Sequence, residues 1–177
     1  MRESSSPNPT APAVSGPGTA VHLFHHSLTR GGGMERYAQT LARSLLDLGC
    51  AVTIYPRRVD DSVARDSMLQ VKLAPVRRFP RALQDFRYFR QIEQVRPQAT
   101  GLQIALSRVR AGHLAVCGGT HRGYLRRARK RAGPLDLLQI WMETECYRAA
   151  RRVVSHSKLC QEELLRWYRL PPEKVVT

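Results

Sequence analysis

The sequence predicts an α/β domain, a three-layer α/β/α sandwich of Rossmann-like type around a mostly parallel sheet. Two observations carry that prediction. Residues 21–55 run as an apolar segment, three consecutive glycines, a long amphipathic stretch, a glycine stop and a second apolar segment, the order of a βαβ unit. Short apolar runs then alternate with helical patterns along the rest of the chain. With 177 residues, 42% of them hydrophobic, the chain is long enough to close one domain around a core.

Val21–His26 reads as a buried strand, because Val, Leu and Phe dominate a run bounded by turn signals. The spacing predicts a helix over 34–48. Met34, Tyr37, Ala38, Leu41, Ala42, Leu45 and Leu48 mark its inner face, and Glu35, Gln39, Arg43 and Asp47 its solvent face. Gly49 then ends it, and Ala51–Tyr55 is a second strand stopped by Pro56. Further on, a strand is expected at Leu69–Val76 and an Arg-rich helix at 81–96 after Pro80. Short strands are expected at Leu102–Leu106 and His113–Cys117. Pro134, suited to the first helical position, opens a helix through Ala150. Arg152–His156 is a sixth strand, and Ser157 caps a last helix that Pro171 and Pro172 end. No internal repeat is visible.

Residues 1–20 are rich in Ser, Pro and Gly and poor in large apolar side chains, so they are expected to form a disordered arm. They lack the apolar region of a secretory signal, and no stretch approaches the roughly 18–20 apolar residues of a membrane span. The expected location is cytoplasmic. Cys50, Cys117, Cys146 and Cys160 are too widely spaced for a zinc site and fit buried thiols in a reducing compartment. The formal charge of +15, with Arg far outnumbering Lys, implies an anionic partner, although an Arg-rich genome would yield part of the same excess.

Two glycine loops are candidate binding elements. Gly31, Gly32 and Gly33 join the first strand to the first helix without the Lys-Ser/Thr of a P-loop, and Arg36 stands where the dinucleotide fingerprint needs its third glycine. What remains is bare backbone at a helix N-terminus, which suits the close approach of a phosphate or a sugar; a plain tight turn needs fewer glycines. Gly118 and Gly119 follow a later strand, and His121 comes two residues after them. In an open parallel sheet ligands bind beyond the carboxyl ends of the strands, so both loops fall on the binding edge. His121 is equally compatible with an ordinary hydrogen-bonded loop histidine. His25 and His26 share that edge, and strand alternation allows at most one of them to face the cleft.

Two arginine clusters mix charge with aromatic rings. Arg77, Arg78, Arg81, Arg87 and Arg90 alternate with Phe79, Phe86, Tyr88 and Phe89, and Arg122, Arg126, Arg127, Arg129, Lys130 and Arg131 follow or flank Tyr124. Such surfaces suit an anionic bilayer or RNA, or serve as a solvated face. No RNA-binding motif occurs, so nucleic acid is not the expected partner. Glu143 and Glu145, two apart on a helix, do not share a face and are not expected to form a paired acid/base site.

The stretch GGGMERYAQTLARSLLDLGCAVTIY resembles the opening of family 4 glycosyltransferases of the GT-B fold. METECYRAARRVVSHSKLCQEELLRWYRLPPEKVVT resembles the end of their N-terminal domain, and RAGHLAVCGGTHRGYLRR is similar to the bacterial lipopolysaccharide-core glucosyltransferase branch. The resemblance covers residues 21–177. It implies the acceptor-side, N-terminal half of a retaining enzyme that moves a sugar from a nucleotide-sugar to a cell-envelope glycan or glycolipid, without a metal or other cofactor. Gly31, Gly32 and Gly33 would lie against the donor diphosphate, and His121 would approach the transferred sugar as the catalytic residue. Arg81, Arg87, Arg90, Arg126, Arg127, Arg129, Lys130 and Arg131 would meet an anionic membrane, making the protein peripheral on the inner face of the cytoplasmic membrane. The E-x7-E pattern of the family's donor-binding domain is missing from these residues. The expectation is half an enzyme, the product of a truncated gene, a split gene or a fragment, inactive alone, with a separate donor-binding chain as one way to complete it. The other expectation is a non-catalytic module that binds an anionic glycan or lipid.

Overall fold

The computed structural model describes residues 18–29, 31–60, 69–74 and 83–177. Nine strands are described: β1 Ala20–Phe24, β2 Ser27–Leu28, β3 Ala51–Ile54, β4 Arg58–Val59, β5 Gln70–Val71, β6 Leu102–Ala105, β7 Leu114–Cys117, β8 Arg152–Ser155 and β9 Val175–Val176. Five α-helices accompany them: α1 Gly33–Asp47, α2 Gln84–Val95, α3 His121–Arg127, α4 Pro134–Ala149 and α5 Lys158–Tyr168. Seven strands form one sheet in the order β5-β3-β1-β6-β7-β8-β9, every described pair parallel. Strands β2 and β4 make a small parallel pair of their own.

Alternation along the strands builds two apolar cores, one on each face. Val21 and Leu23 of β1, Val52 and Ile54 of β3 and Ile104 of β6 meet Ala38, Ala42 and Leu45 of α1. Phe24, Ala105, Ala115, Cys117 and Val153 point the other way, toward Phe89 and Ile92 of α2, Met142 and Cys146 of α4 and Leu164 of α5. This is the three-layer arrangement. A parallel sheet covered on both faces has near-continuous apolar strands for that reason. The polar His22 is accommodated within β1 because both ring nitrogens are bonded, to the Tyr55 hydroxyl at 3.1 Å and the Thr100 carbonyl at 2.8 Å.

Local signals place the ends. Gly49, at φ +77°, leaves α1 in a left-handed conformation. Pro134 occupies the first turn of α4, and the Ser157 hydroxyl accepts from the Cys160 N–H to cap α5. Gly101, at φ +114°, enters β6 so tightly that a β-carbon would lie 2.4 Å from the Ala20 carbonyl oxygen.

Several expectations shift. Leu48, assigned to the inner face of α1, lies beyond its end and is 71% exposed. Of the expected strand at 69–76, the described residues 69–74 form strand at Gln70–Val71. Of the expected helix at 81–96, the described residues form Gln84–Val95 followed by a 3-10 turn; residues 75, 76, 81 and 82 lie outside the described residues. Arg77, Arg78, Phe79, Pro80 and Arg81, and residues 1–17 of the expected arm, lie outside the described residues. Helix α3 stands where a loop was expected. Among the described residues no helix is long and apolar enough to cross a membrane.

Candidate functional site

Counting only the main sheet, the strand order is 3-2-1-4-5-6-7, with the reversal between β1 and β6. Connections from these two strands leave in opposite directions, and the crevice between their carboxyl ends is where such folds bind ligands. A cleft of about 430 Å³ opens there. His25 and His26 enter it from the end of β1, Ser107 and Arg108 from the end of β6, and Gly118, Gly119 and His121 from the end of β7. Met34 of α1, Asp85 and Tyr88 of α2 and Glu143 of α4 close its walls.

Glu143 is the hub of the cleft and is 1% exposed. Its Oε1 accepts from Arg108 Nε at 2.9 Å, and both oxygens accept from the His121 backbone N–H, at 3.0 and 2.9 Å. The Tyr168 hydroxyl donates to Oε2. A buried carboxylate is tolerated because donors surround it, and three distant segments are drawn together around one side chain. Burial opposes the Arg108 charge, but the Glu143 carboxylate outweighs it and holds the guanidinium above its ordinary pKa. Burial, then the same carboxylate, raises Tyr168.

Helix α3 begins on this hub. Thr120 is its N-cap, accepting from the Gly123 N–H at 2.9 Å and donating its hydroxyl proton to Glu163 Oε2 at 2.5 Å. Glu163 also accepts from Arg127 at 2.8 Å. A β-carbon on Gly123 would lie 2.2 Å from the Glu163 carboxylate, so glycine is what lets that buried group seat. The His121 ring bonds through Nε2 to Asp136 Oδ1 at 2.7 Å, and the other oxygen of Asp136 accepts from the Gly133 N–H at 2.9 Å. The Gly133 contact, followed by the His121 ring, lowers the Asp136 pKa. The imidazole is thus oriented from a carboxylate that is itself held by a helix N-terminus.

At the β1–β6 end, Ser107 Oγ lies 2.7 Å from His26 Nδ1, 3.2 Å from His25 Nδ1 and 3.0 Å from the His26 backbone nitrogen. Burial, then the neighbouring His26, pulls His25 down to about 4; the Leu106 carbonyl acts the other way. Burial also lowers His26, with Asp85 and Glu35 opposing it and Arg57 and Arg108 adding to it. Both rings are neutral at pH 7. Cys146 also lines the cleft, but burial pushes its thiol up to about 12, so it offers no thiolate. Among the described residues no group of three or more His, Cys, Asp or Glu could hold a metal ion.

The structure places His121 in the cleft with Gly118 and Gly119. Gly31, Gly32 and Gly33 lie outside the lining, although the next residue, Met34, belongs to it and the charge of Glu35 acts on His26. Both His25 and His26 reach the cleft, against the expectation that at most one would; β1 stops at Phe24, so alternation no longer governs them. Glu143 and Glu145 do diverge: Glu145 pairs with Arg110, yet Glu143 is central. The second basic cluster is partly engaged. Arg127 pairs with Glu163, Arg126 lies over Trp167, and Lys130 lies over Tyr124. Arg87, Arg90, Arg129 and Arg131 are exposed.

Residues 31–177 match the family described as Glycosyltransferase Family 4. A probable transglycosylase of Burkholderia thailandensis is 34% identical over 156 residues, covering 88% of this chain and 43% of the relative. The structure of WaaG, described as a glycosyltransferase involved in lipopolysaccharide biosynthesis, is similar with a TM-score of 0.71 at 12% identity, covering 88% of this chain and 44% of WaaG. A sucrose-phosphate synthase structure from Thermosynechococcus elongatus has a TM-score of 0.51 at 14% identity, covering 84% of this chain and 82% of that one. The two structural likenesses concern the fold. The chain spans less than half the length of the Burkholderia relative and of WaaG.

Proposed function

The chain belongs to glycosyltransferase family 4, and from that premise we propose that it takes part in moving a sugar, with retention of configuration, from a nucleotide-sugar to a cell-envelope glycan or glycolipid. The observation that supports this reading is the cleft at the β1–β6 reversal, where polar groups from three strand ends and three helices converge on a space of sugar size. His121 contacts the transferred sugar, its ring held by Asp136 and its backbone by Glu143. The Gly31–Gly33 loop approaches the donor diphosphate from the cleft rim. A second, donor-binding domain outside these residues, or on another chain, supplies the rest of the nucleotide site.

The acceptor side faces an anionic membrane on this reading. Exposed Arg87 and Arg90 on α2 stand beside Phe86, which contacts the partly exposed Trp141 of α4. Exposed Leu137, four residues before Trp141 on α4, shares its helix face, and the exposed Arg126, Arg129, Lys130 and Arg131 lie on and after α3. Exposed apolar and cationic groups of this kind suit a lipid headgroup layer.

The test joins the chain to the donor-binding domain of a close relative and measures hexose transfer from labelled nucleotide-sugars to envelope glycolipid. The fusion should transfer, and His121→Ala should lose transfer while keeping its melting temperature. Undiminished transfer by His121→Ala removes the residue's role; no transfer by a folded fusion with any hexose donor removes the reading.

A further inference from the structure

One hydroxyl, that of Ser107, stands between three nitrogens at the floor of the cleft, and its hydrogen-bonding capacity settles the protons around it. Ser107 Oγ can accept two hydrogen bonds and donate one. One acceptance is taken by the His26 backbone N–H at 3.0 Å, which can only donate. His25 is 1% exposed, and its Nε2 is buried without a partner. A buried N–H without an acceptor is rarer and costlier than a bare lone pair, so the proton of the neutral His25 ring sits on Nδ1. There it donates to Ser107 Oγ at 3.2 Å, with the Leu106 carbonyl beside the ring as a second acceptor, and fills the second acceptance of the hydroxyl. The one hydrogen of the Ser107 hydroxyl then goes to His26 Nδ1, at 2.7 Å, the shortest of the three contacts. His26 therefore carries its own proton on Nε2. That nitrogen has no protein partner among the described residues, and the ring lines the cleft.

We propose that His26 is a ligand-contacting residue, locked by Ser107 as the neutral Nε2–H tautomer, and that it donates a hydrogen bond to a hydroxyl of an uncharged sugar bound in the cleft. The inference rests on the proposed glycosyl-transfer reading and names a contact for its sugar. The choice of a hydroxyl over a phosphate follows from the neighbours. Asp85 lines the same cleft, and its charge acts on His26. Its carboxylate repels an anion but accepts a hydrogen bond. The Arg57 guanidinium is engaged with that carboxylate at 3.0 Å, and Arg108 with Glu143 at 2.9 Å, so the nearby positive charge is already neutralised. A group that must accept from His26 while standing beside a carboxylate is best one that can also donate. A sugar hydroxyl does both. The position at the β1–β6 reversal, the ligand crevice of this topology, is independent of the proton count.

The test uses the full 177-residue chain with ¹⁵N-labelled histidine. Long-range ¹H–¹⁵N correlation at neutral pH should show His26 as a single neutral tautomer protonated on Nε2, and Ser107→Ala should convert it to a mixture. A proton on Nδ1, or a mixture in the wild type, overturns the lock. The methyl glycosides of glucose, galactose and mannose are then titrated, with inorganic phosphate in parallel. At least one glycoside should move the Nε2 resonance saturably and phosphate should not. His26→Ala should weaken that glycoside about two- to tenfold, the range of one net hydrogen bond, as followed by the remaining cleft histidines. Equal glycoside binding by wild type and His26→Ala overturns the contact and leaves the transfer reading standing. Movement by phosphate alone overturns the uncharged-sugar assignment, and no movement of any cleft histidine by any glycoside counts against both the contact and the reading beneath it.

Discussion

Removing the Glu143 carboxylate tests whether the cleft is organised as described. Glu143→Ala strands three donors at once: the His121 backbone N–H, the Tyr168 hydroxyl and Arg108 Nε. A buried donor left unsatisfied costs about 1–3 kcal/mol, which applies in full to Tyr168, 3% exposed, and to the peptide beneath α3. The Arg108 side chain is 38% exposed and can turn to water, so its share is small. The expected loss is about 3–5 kcal/mol, equivalent to about 6–20 °C of melting temperature for a domain of this size. Glu143→Gln keeps an oxygen for His121 and Arg108, and its amide can donate to the Tyr168 oxygen, so it should cost only about 1–2 kcal/mol. Urea and thermal unfolding of both variants measure this. Tyr168→Phe supplies the coupling. It should cost about 1–2 kcal/mol in the wild type and close to nothing in the Glu143→Ala background, because the hydroxyl has lost its acceptor. A Glu143→Ala protein that melts within about 3 °C of wild type, or additive effects of the two substitutions, would refute the reasoning.

The remaining predictions concern pH, backbone and surface. His25 is held near 4 when folded and titrates near 6.5 when unfolded, so below pH 6.5 the unfolded chain binds a proton that the folded one refuses, and stability falls as pH drops. The contribution lost between pH 7 and 4.5 should be about 2–3 kcal/mol; denaturant unfolding of wild type and His25→Gln at the two pH values should show that much less loss in the variant, and equal losses would contradict it. Gly101→Ala should destabilise by about 2–4 kcal/mol, because its β-carbon would meet a backbone carbonyl at φ +114°; an unchanged melting temperature would contradict the turn geometry. Gly33→Ala meets nothing within 4 Å and opens a helix, so it should leave stability unchanged or raise it by up to about 1 kcal/mol, and a clear loss on unfolding would disprove that. Sedimentation with anionic vesicles should exceed that with neutral ones and fall at high salt; equal sedimentation would contradict the membrane reading.

The fold was legible wherever a pattern was local. The 3.6-residue spacing from Met34 to Leu45 and the stop at Gly49 fixed α1 within a residue or two, and β1, β3 and β8 followed from apolar runs between turn signals. Helix α3 was hidden because its sequence, HRGYLRR, turns only Gly123 and Leu125 fully inward, too few for a period to show. Its one local signal was Thr120, a good N-cap. β2, β4 and β9 have two residues each and carry no period at all. The position of His121 and the second glycine pair along the cleft was legible because the carboxyl edge of a parallel sheet is a sequence-level address. Glu143 was missed because its partners, Arg108, His121 and Tyr168, are 35, 22 and 25 residues away, beyond any helical spacing. His26 was half-legible for the converse reason: strand alternation is a local rule, and β1 ends at Phe24, two residues before it.

Two helix N-termini meet near the rim of this cleft, and they are finished differently, which bears on where an anion could go. The N-terminus of α3 is closed by a carboxylate from another helix: Glu143 takes the His121 N–H with both oxygens and is itself fixed by Arg108 and Tyr168. An incoming phosphate would have to displace a buried, fully bonded group, which costs far more than the dipole of one short helix returns. The N-terminus of α1 has no side-chain cap. Its first turn carries Glu35, whose carboxylate packs so closely on Gly32 that a β-carbon there would lie 1.7 Å from Oε2. That carboxylate belongs to the helix's own first turn and hangs on a flexible stem, so rotating it away costs a rotamer change rather than a buried network. The open space around Gly33 and the φ of +157° at Gly31 keep the backbone bare on the same side. If a donor phosphate binds near this rim, as the proposed function requires, α1 is the terminus that can yield to it, and Glu35 is the group that must move. Glu35→Gln, which keeps the shape and removes the charge, should therefore lower the Michaelis constant for the donor in the fused enzyme and leave the melting temperature close to wild type. A raised constant would mean that Glu35 binds the donor rather than standing in its place.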